Sequence, residues 1–302
     1  MFIFESATPH RAVAQQSAPQ NSTATMTLAV SVTDKRGAHI YGLKQDAFTL
    51  YDNKTPQRIT SFVHQDLPAS IGILFDSSGS LDKERLDAAR KGLGYLFQSG
   101  NQASEYFLIG FNQRPQLLMD WTNDGAALLS KLKDVQPLGQ TALFDACYVA
   151  LDKLAHGKHQ KHILILITDG QDNISRYSYD QVLEAVKRSD TVVYALGILN
   201  DQDPGSALGM HAQALLGNLS SVSGGTAFFP KDRKLTDESF DFIAEELRYQ
   251  YLLSFTPAKV ESGGKWHRLK IDVALPPDAP PKLKNVKAHT RDGYYALEKE
   301  SR

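Results

Sequence analysis

Ile71-Gly72-Ile73-Leu74-Phe75-Asp76-Ser77-Ser78-Gly79-Ser80 is the stretch from which the fold can be read. Its first five residues carry no polar side chain, so both faces of the strand they form must be covered. That is the condition of a parallel strand lying between two layers of helices. The run ends on a carboxylate and four small residues, and a segment starting at Leu81 then places Leu86, Ala89, Leu93 and Leu96 on one helical face. Strand, polar turn and helix in that order open a βαβ unit. The rhythm repeats downstream. Residues 106–111, 163–167, 192–198 and 227–229 are further apolar runs. Between them Leu143, Cys147, Ala150, Leu151 and Leu154, then Val182, Ala185 and Val186, then Phe240, Ile243 and Leu247 recur at helical spacing. The expectation is an α/β fold with a doubly wound, mostly parallel sheet, and residues 117–121 suit an antiparallel edge strand.

Outside this stretch the period falls to two. Met26, Leu28, Val30 and Val32 alternate with Thr27, Ala29 and Ser31, and residues 59–63 make a second short strand. Asp34-Lys35-Arg36-Gly37 and Asp52-Asn53-Lys54 supply turns. After Arg248, residues 251–255 read as a strand, His267, Leu269, Ile271 and Val273 alternate with Arg268, Lys270 and Asp272, and residues 286–290 offer one more. Four prolines between positions 276 and 281 require a loop. Neither flank alone has enough strands for a core, so the two are expected to pair as one small, sandwich-like β-rich domain with the α/β domain inserted between its halves. The expected division is a disordered or residual signal segment at 1–22, a β-rich flank at 23–67, the α/β domain at 68–248 and the second β-rich flank at 249–302. Ala12-Val13-Ala14 resembles a signal cleavage site, although only Phe2-Ile3-Phe4 stands where its apolar core belongs.

A net charge of −1 gives no electrostatic ground for binding nucleic acid or an anionic membrane. No run approaches the roughly 20 apolar residues of a membrane-spanning helix. The single cysteine, Cys147, excludes an intrachain disulfide, and its place on an apolar helix face predicts a buried, inert thiol.

In an open doubly wound sheet the ligand crevice lies at the carboxyl ends of the strands. Three segments project there: Asp76-Ser77-Ser78-Gly79-Ser80, Gly139-Gln140-Thr141 ahead of a helix, and Thr168-Asp169-Gly170. Together they offer the carboxylates of Asp76 and Asp169 and the hydroxyls of Ser78, Ser80 and Thr141. This all-oxygen set suits Mg²⁺, with Mn²⁺ or Ca²⁺ as other choices, and the lack of thiolate and imidazole argues against zinc. With few anionic ligands the ion would stay electrophilic, open to an acidic side chain of another molecule.

These motifs resemble the von Willebrand factor A (vWA) domain, in which Asp-x-Ser-x-Ser, Gly-x-Thr and Thr-Asp-Gly form the metal-ion-dependent adhesion site. The resemblance implies that Asp76, Ser78, Ser80, Thr141 and Asp169 are its five residues here, none missing. Gly139-Gln140-Thr141-Ala142-Leu143-Phe144-Asp145-Ala146 looks like the bacterial branch. The flanks (Asp46-Ala47-Phe48-Thr49-Leu50-Tyr51, Leu247 to Leu253 and Arg291-Asp292-Gly293-Tyr294-Tyr295) are similar to a bacterial, acidobacterial-type vWA-related group whose members resemble exported proteins. The resemblance further implies a secreted or periplasmic, metal-dependent adhesion or scaffold module. It would be non-enzymatic, with a protein or peptide presenting Asp or Glu as its partner.

Blander readings stand beside these. Asp76 and its serines can cap the following helix. Asp145 can favour a helix N-terminus by its charge or stand behind the metal. Asp172 and Asn173 read as solvated loop residues or as tuning ligand choice. His156, His159 and His162 fall at the opposite end of the sheet from Asp76, in what reads as a solvated loop. Tyr177 and Tyr179 either touch a partner or cover the top of the domain. Asn21-Ser22-Thr23, Asn173-Ile174-Ser175 and Asn218-Leu219-Ser220 match the glycosylation pattern. Two rival functions remain. A Mg²⁺-dependent phosphohydrolase would use Asp76 as nucleophile, but Ser78 stands where a second Asp is needed. A vWA subunit of a larger ATPase-linked assembly would co-purify with its ATPase.

Overall fold

The both-face apolar runs become strands of one sheet, and the alternating runs at either end become a second layer system. The computed structural model describes residues 25–81, 83–199, 205–257, 264–275 and 286–296. The expected signal segment at 1–22, Asn21-Ser22-Thr23 and the proline loop at 276–281 lie outside the described residues.

In chain order the elements are β1 (Met26–Thr33), β2 (Phe48–Asp52), β3 (Thr55–Gln57), β4 (Ile59–Val63), β5 (Ala69–Asp76), α1 (Lys83–Ser99), β6 (Glu105–Phe111), β7 (Pro115–Thr122), α2 (Gly125–Lys133) and α3 (Leu143–Leu154). Then come β8 (Lys161–Thr168), α4 (Tyr179–Arg188), β9 (Val192–Gly197), α5 (Ala207–Ser223), β10 (Ala227–Phe228), α6 (Arg233–Tyr249), β11 (Tyr251–Phe255), β12 (Trp266–Val273), β13 (Lys287–His289) and β14 (Gly293–Tyr295).

The middle sheet has the order β10-β9-β8-β5-β6-β7, parallel throughout except for β7, which is the antiparallel edge strand. Every residue of β5 is buried, as its composition requires. Ile71, Ile73 and Phe75 point to a core shared with α1, α2 and α6, whereas Leu74 points to a core shared with α3, α4 and α5. α1 and α6 approach so closely that a β-carbon at Gly92 would lie 1.9 Å from Cδ2 of Phe240, so only glycine fits.

The flanks interleave. Two four-stranded sheets, β13-β1-β11-β4 and β14-β12-β2-β3, each draw strands from both ends of the chain. β1 pairs antiparallel with β11, and β2 with β12. Between the sheets Leu28, Val30, Phe48, Leu50, Tyr251, Leu253, Phe255 and Ile271 form one core. The β2–β3 turn has Asn53 and Lys54 at φ 46° and 68°, the left-handed pair that a two-residue hairpin demands. Inside the sandwich, Asp52 accepts a hydrogen bond from the Tyr294 hydroxyl at 2.8 Å and makes a 2.8 Å bond to Nδ1 of His267.

α6 leads through Gln250 straight into β11. At this junction Glu246 is buried beside Lys161 and Tyr194, and Gln250 donates to the Tyr194 hydroxyl at 2.9 Å. The Lys161 ammonium donates to the carbonyl of Leu247. Among the described residues no helix is long and apolar enough to cross a membrane.

Candidate metal centre

β5 and β8 are parallel neighbours, with Phe75 opposite Ile167. Their next residues, Asp76 and Thr168, therefore leave the sheet side by side at its carboxyl edge. Asp76 is wholly buried. Its Oδ1 accepts from the Ser78 N–H at 2.8 Å, and its Oδ2 from the Thr168 hydroxyl at 2.6 Å. Burial pushes its pKa up to about 6, the bonds from Thr168 and Ser78 pull it back, and the Asp169 charge adds a little upward.

The cluster continues through hydroxyls. Ser80 donates to Oδ2 of Asp169 at 2.6 Å, and the Ser78 and Ser80 hydroxyls are 3.1 Å apart. Asp169 is itself held, because its Oδ1 accepts from the Gln171 N–H at 2.9 Å. Four of the five residues expected at this site, Asp76, Ser78, Ser80 and Asp169, thus form one bonded chain. Thr141, also buried, is brought alongside through backbone instead. Gly79 N–H donates to the Gly139 carbonyl at 3.0 Å, and Leu138 N–H donates to that of Ser77 at 2.8 Å. Gly170 turns at φ 77°, and its close approach to Ala212 seats the start of α5 against this edge.

Asp145 stands in the first turn of α3, as expected, and it and two loop residues make bonds that the sequence does not announce. Asn173 is no free loop residue: its Oδ1 accepts from the Thr141 N–H at 2.9 Å while its own N–H donates to the Thr141 carbonyl at 3.0 Å. Asp172 accepts from the Phe144 N–H and from the Ser175 hydroxyl, which pins the loop after β8 to the first turn of α3. Asp145 does the same from the other side, its carboxylate accepting from the N–H groups of Arg176 and Tyr177 and from Arg176 Nε at 3.2 Å. Thr168 has no role in the sequence reading beyond its place in the motif, yet its hydroxyl orients Asp76. A hydroxyl residue ending the strand next to Asp76 is the signal that marks it.

Tyr177 stacks on exposed Tyr148, with ring centroids 4.0 Å apart, and the Tyr179 hydroxyl accepts from Asn218 at 2.7 Å. The histidines do lie at the far end of the sheet, but two of them are bonded: His159 Nε2 is 2.9 Å from the Ala103 carbonyl oxygen, and His162 Nδ1 is 2.9 Å from Asp190. Cys147 is buried, and burial pushes its thiol up to about 12.

Among the described residues no group of three or more His, Cys, Asp or Glu side chains converges, so the donors here are two carboxylates plus hydroxyls. That set fits a hard divalent cation and does not fit zinc. The buried Asp76 carboxylate, with a second carboxylate linked to it and no ion pair among the described residues, is a charge arrangement that a cation relieves.

The von Willebrand factor type A domain model matches residues 70–241. An uncharacterized protein of Borreliella burgdorferi is 24% identical over 207 residues, covering 61% of this chain and 59% of that protein, so the chain spans about three fifths of its length. Similar solved structures include the vWF domain of the type V pili tip protein Mfa5 from Porphyromonas gingivalis, with TM-score 0.49, 13% identity and coverage of 61% of this chain and 95% of that one. Another is a von Willebrand factor type A protein from Catenulispora acidiphila, with TM-score 0.48, 12% identity and coverage of 87% and 76%.

Proposed function

The chain belongs to the von Willebrand factor type A domain family, and from that premise we propose that Asp76, Ser78, Ser80, Thr141 and Asp169 hold a divalent cation, Mg²⁺ first, through which the protein captures an acidic side chain of a protein or peptide partner. The observation that carries this reading is the continuous chain from buried Asp76 through Ser78 and Ser80 to Asp169. When bound, the ion supplies an electrophilic position that a carboxylate from outside completes. The residues themselves orient: Thr168 fixes one Asp76 oxygen, the Ser78 N–H fixes the other, and Asn173 sets the backbone of Thr141.

The same geometry weighs against a phosphohydrolase. Both Asp76 oxygens are tied by donors, and position 78 carries a serine hydroxyl, not a carboxylic acid for the leaving group. A non-enzymatic binding module is therefore the reading adopted. The similarity of the flanks to exported proteins supports a secreted or periplasmic location.

Calorimetric titration of metal-stripped protein with Mg²⁺ and Mn²⁺ tests the site. Saturable binding is expected in the wild type, lost in Asp76→Ala and weakened in Thr141→Ala. Absence of binding in the wild type, with or without a carboxylate peptide, would reduce the five residues to caps and turns.

A further inference from the structure

β12 alternates strictly: His267, Leu269 and Ile271 are buried in the sandwich, and Arg268, Lys270 and Asp272 between them are exposed. β2 turns Thr49 and Tyr51 to the same side, Tyr51 opposite Lys270 and Thr49 opposite Asp272. At the β2–β3 turn the Asn53 side chain accepts from the Arg268 N–H at 2.9 Å, which brings Asn53 and Lys54 to the end of this face. Tyr51, Asn53, Lys54, Arg268, Lys270 and Asp272 line one shallow cleft of about 860 Å³.

The cleft is cationic. Lys54, Arg268 and Lys270 stand against the single carboxylate of Asp272, which lies 2.8 Å from the Lys270 ammonium. Both members of that pair are exposed, and such pairs are weak, so Lys270 can exchange Asp272 for a ligand. Lys54 and Arg268 make no ion pair among the described residues. The Lys270 ammonium also lies 5.8 Å from the centroid of the half-buried Tyr51 ring, so charge and aromatic surface are presented together. Arg268 and Lys270 are two strand residues apart, about 7 Å, a spacing that suits successive charges along one chain.

We infer that this cleft binds an acidic polysaccharide, a chain of sugar rings bearing carboxylates. One sugar face lies against Tyr51, the carboxylates meet Arg268, Lys270 and Lys54, and the hydroxyls meet Asn53 and Thr49. Other polyanions fit the face less well. β12 and β2 are interior strands, paired on both edges, so a peptide finds no main-chain partner there. Thr49, Arg268, Lys270 and Asp272 give no aliphatic anchor for a bilayer. A nucleic-acid backbone engages roughly 6–10 cations. The cleft offers only Lys54, Arg268 and Lys270. The binding is separate from the metal centre, to which no residue of this face contributes.

The full chain, held in chelator so that the metal centre takes no part, is titrated by calorimetry with tetragalacturonate and with uncharged galactotetraose. Saturable binding of tetragalacturonate is expected, weakening severalfold as salt rises from about 20 to about 200 mM. Galactotetraose should bind at least about tenfold more weakly. Arg268→Gln and Lys270→Gln should each weaken tetragalacturonate by roughly threefold or more and together abolish its binding. Tyr51→Thr should weaken it without changing the salt dependence. All three positions lie on the solvent face, and unchanged melting temperatures mark the variants as folded. No binding of tetragalacturonate, equal affinity for galactotetraose, or binding that survives the double substitution overturns the inference and leaves the metal site untouched. Tighter binding of acetyl-Asp-Gly-Asp-Gly-Asp-amide or of phosphatidylglycerol vesicles than of tetragalacturonate overturns it as well and assigns the face to that partner.

Discussion

Replacing Glu246 by glutamine should change how stability depends on pH, and the junction geometry sets the size. Glu246 is 1% exposed, on the inner face of α6 where that helix meets β8 and β9. Burial pushes its pKa from 4.5 to about 7, against the pull of neighbouring hydroxyls and the Lys161 charge. A carboxyl whose folded pKa is raised contributes stability that is intact below its unfolded pKa and lost as pH climbs through the folded one. The window is thus from about 4.5 to about 7. Full ionisation costs roughly 3 kcal/mol, of which about 2 kcal/mol falls between pH 5 and 7.5. Lys161 shifts the opposite way, from 10.5 down to about 8, so its contribution changes mainly above pH 8 and stays outside the experiment. Asp76, raised to about 6, adds a slope to both proteins that cancels in their difference. Urea unfolding followed by circular dichroism at pH 5, 6, 7 and 7.5, in chelator, should show the Glu246→Gln protein gaining on wild type by about 2 kcal/mol across the range. A flat difference would mean that Glu246 is ionised in the folded protein across this range, held by Lys161, and that result refutes the reasoning; a gain of about 3 kcal/mol would mean that it stays protonated throughout.

Gly92→Ala should lower the melting temperature by several degrees, since the new methyl meets Phe240 and overpacking costs roughly 1–3 kcal/mol, against a helix-propensity gain of about 1 kcal/mol. Thr168→Val removes the donor to Asp76 and should destabilise metal-free protein by about 1–3 kcal/mol in urea melts, with Thr168→Ser recovering most of it. Cys147 should resist a thiol-reactive dye at pH 8 in the native protein and react at once after urea unfolding.

The parallel sheet is legible in the sequence because β5, β6, β8 and β9 are apolar on both faces, a pattern that few other arrangements tolerate. α5 is not legible as a helix. Its inward residues include Gly209, Ala212, Ser220 and Ser223 beside Leu215, Leu216 and Leu219, so the contrast between its faces is low. The five cluster residues can be read because each motif is local and ends a strand or opens a helix. The roles of Asn173, Asp172 and Asp145 exist only between loops some thirty residues apart, as in the Asn173–Thr141 bond with 32 residues between partners. No local pattern announces such a bond. The pairing of the flanks can be inferred from strand count, whereas the register of β1 on β11 depends on contacts such as Thr27 with Ser254, 227 residues apart.

That interleaving has a consequence for how the protein is made. On a ribosome adding about 5–20 residues per second, β1 to β4 emerge some ten to forty seconds before β11 and β12. The α/β unit has all its strands in hand by β10 and can collapse on its own schedule, while the early strands wait with Leu28, Val30 and Leu50 uncovered. Loop closure across so long a separation also slows the final step. Nascent chains of this protein should therefore pass through a half-built stage that invites chaperones or edge-to-edge pairing, and completion of the sandwich should set the overall folding rate.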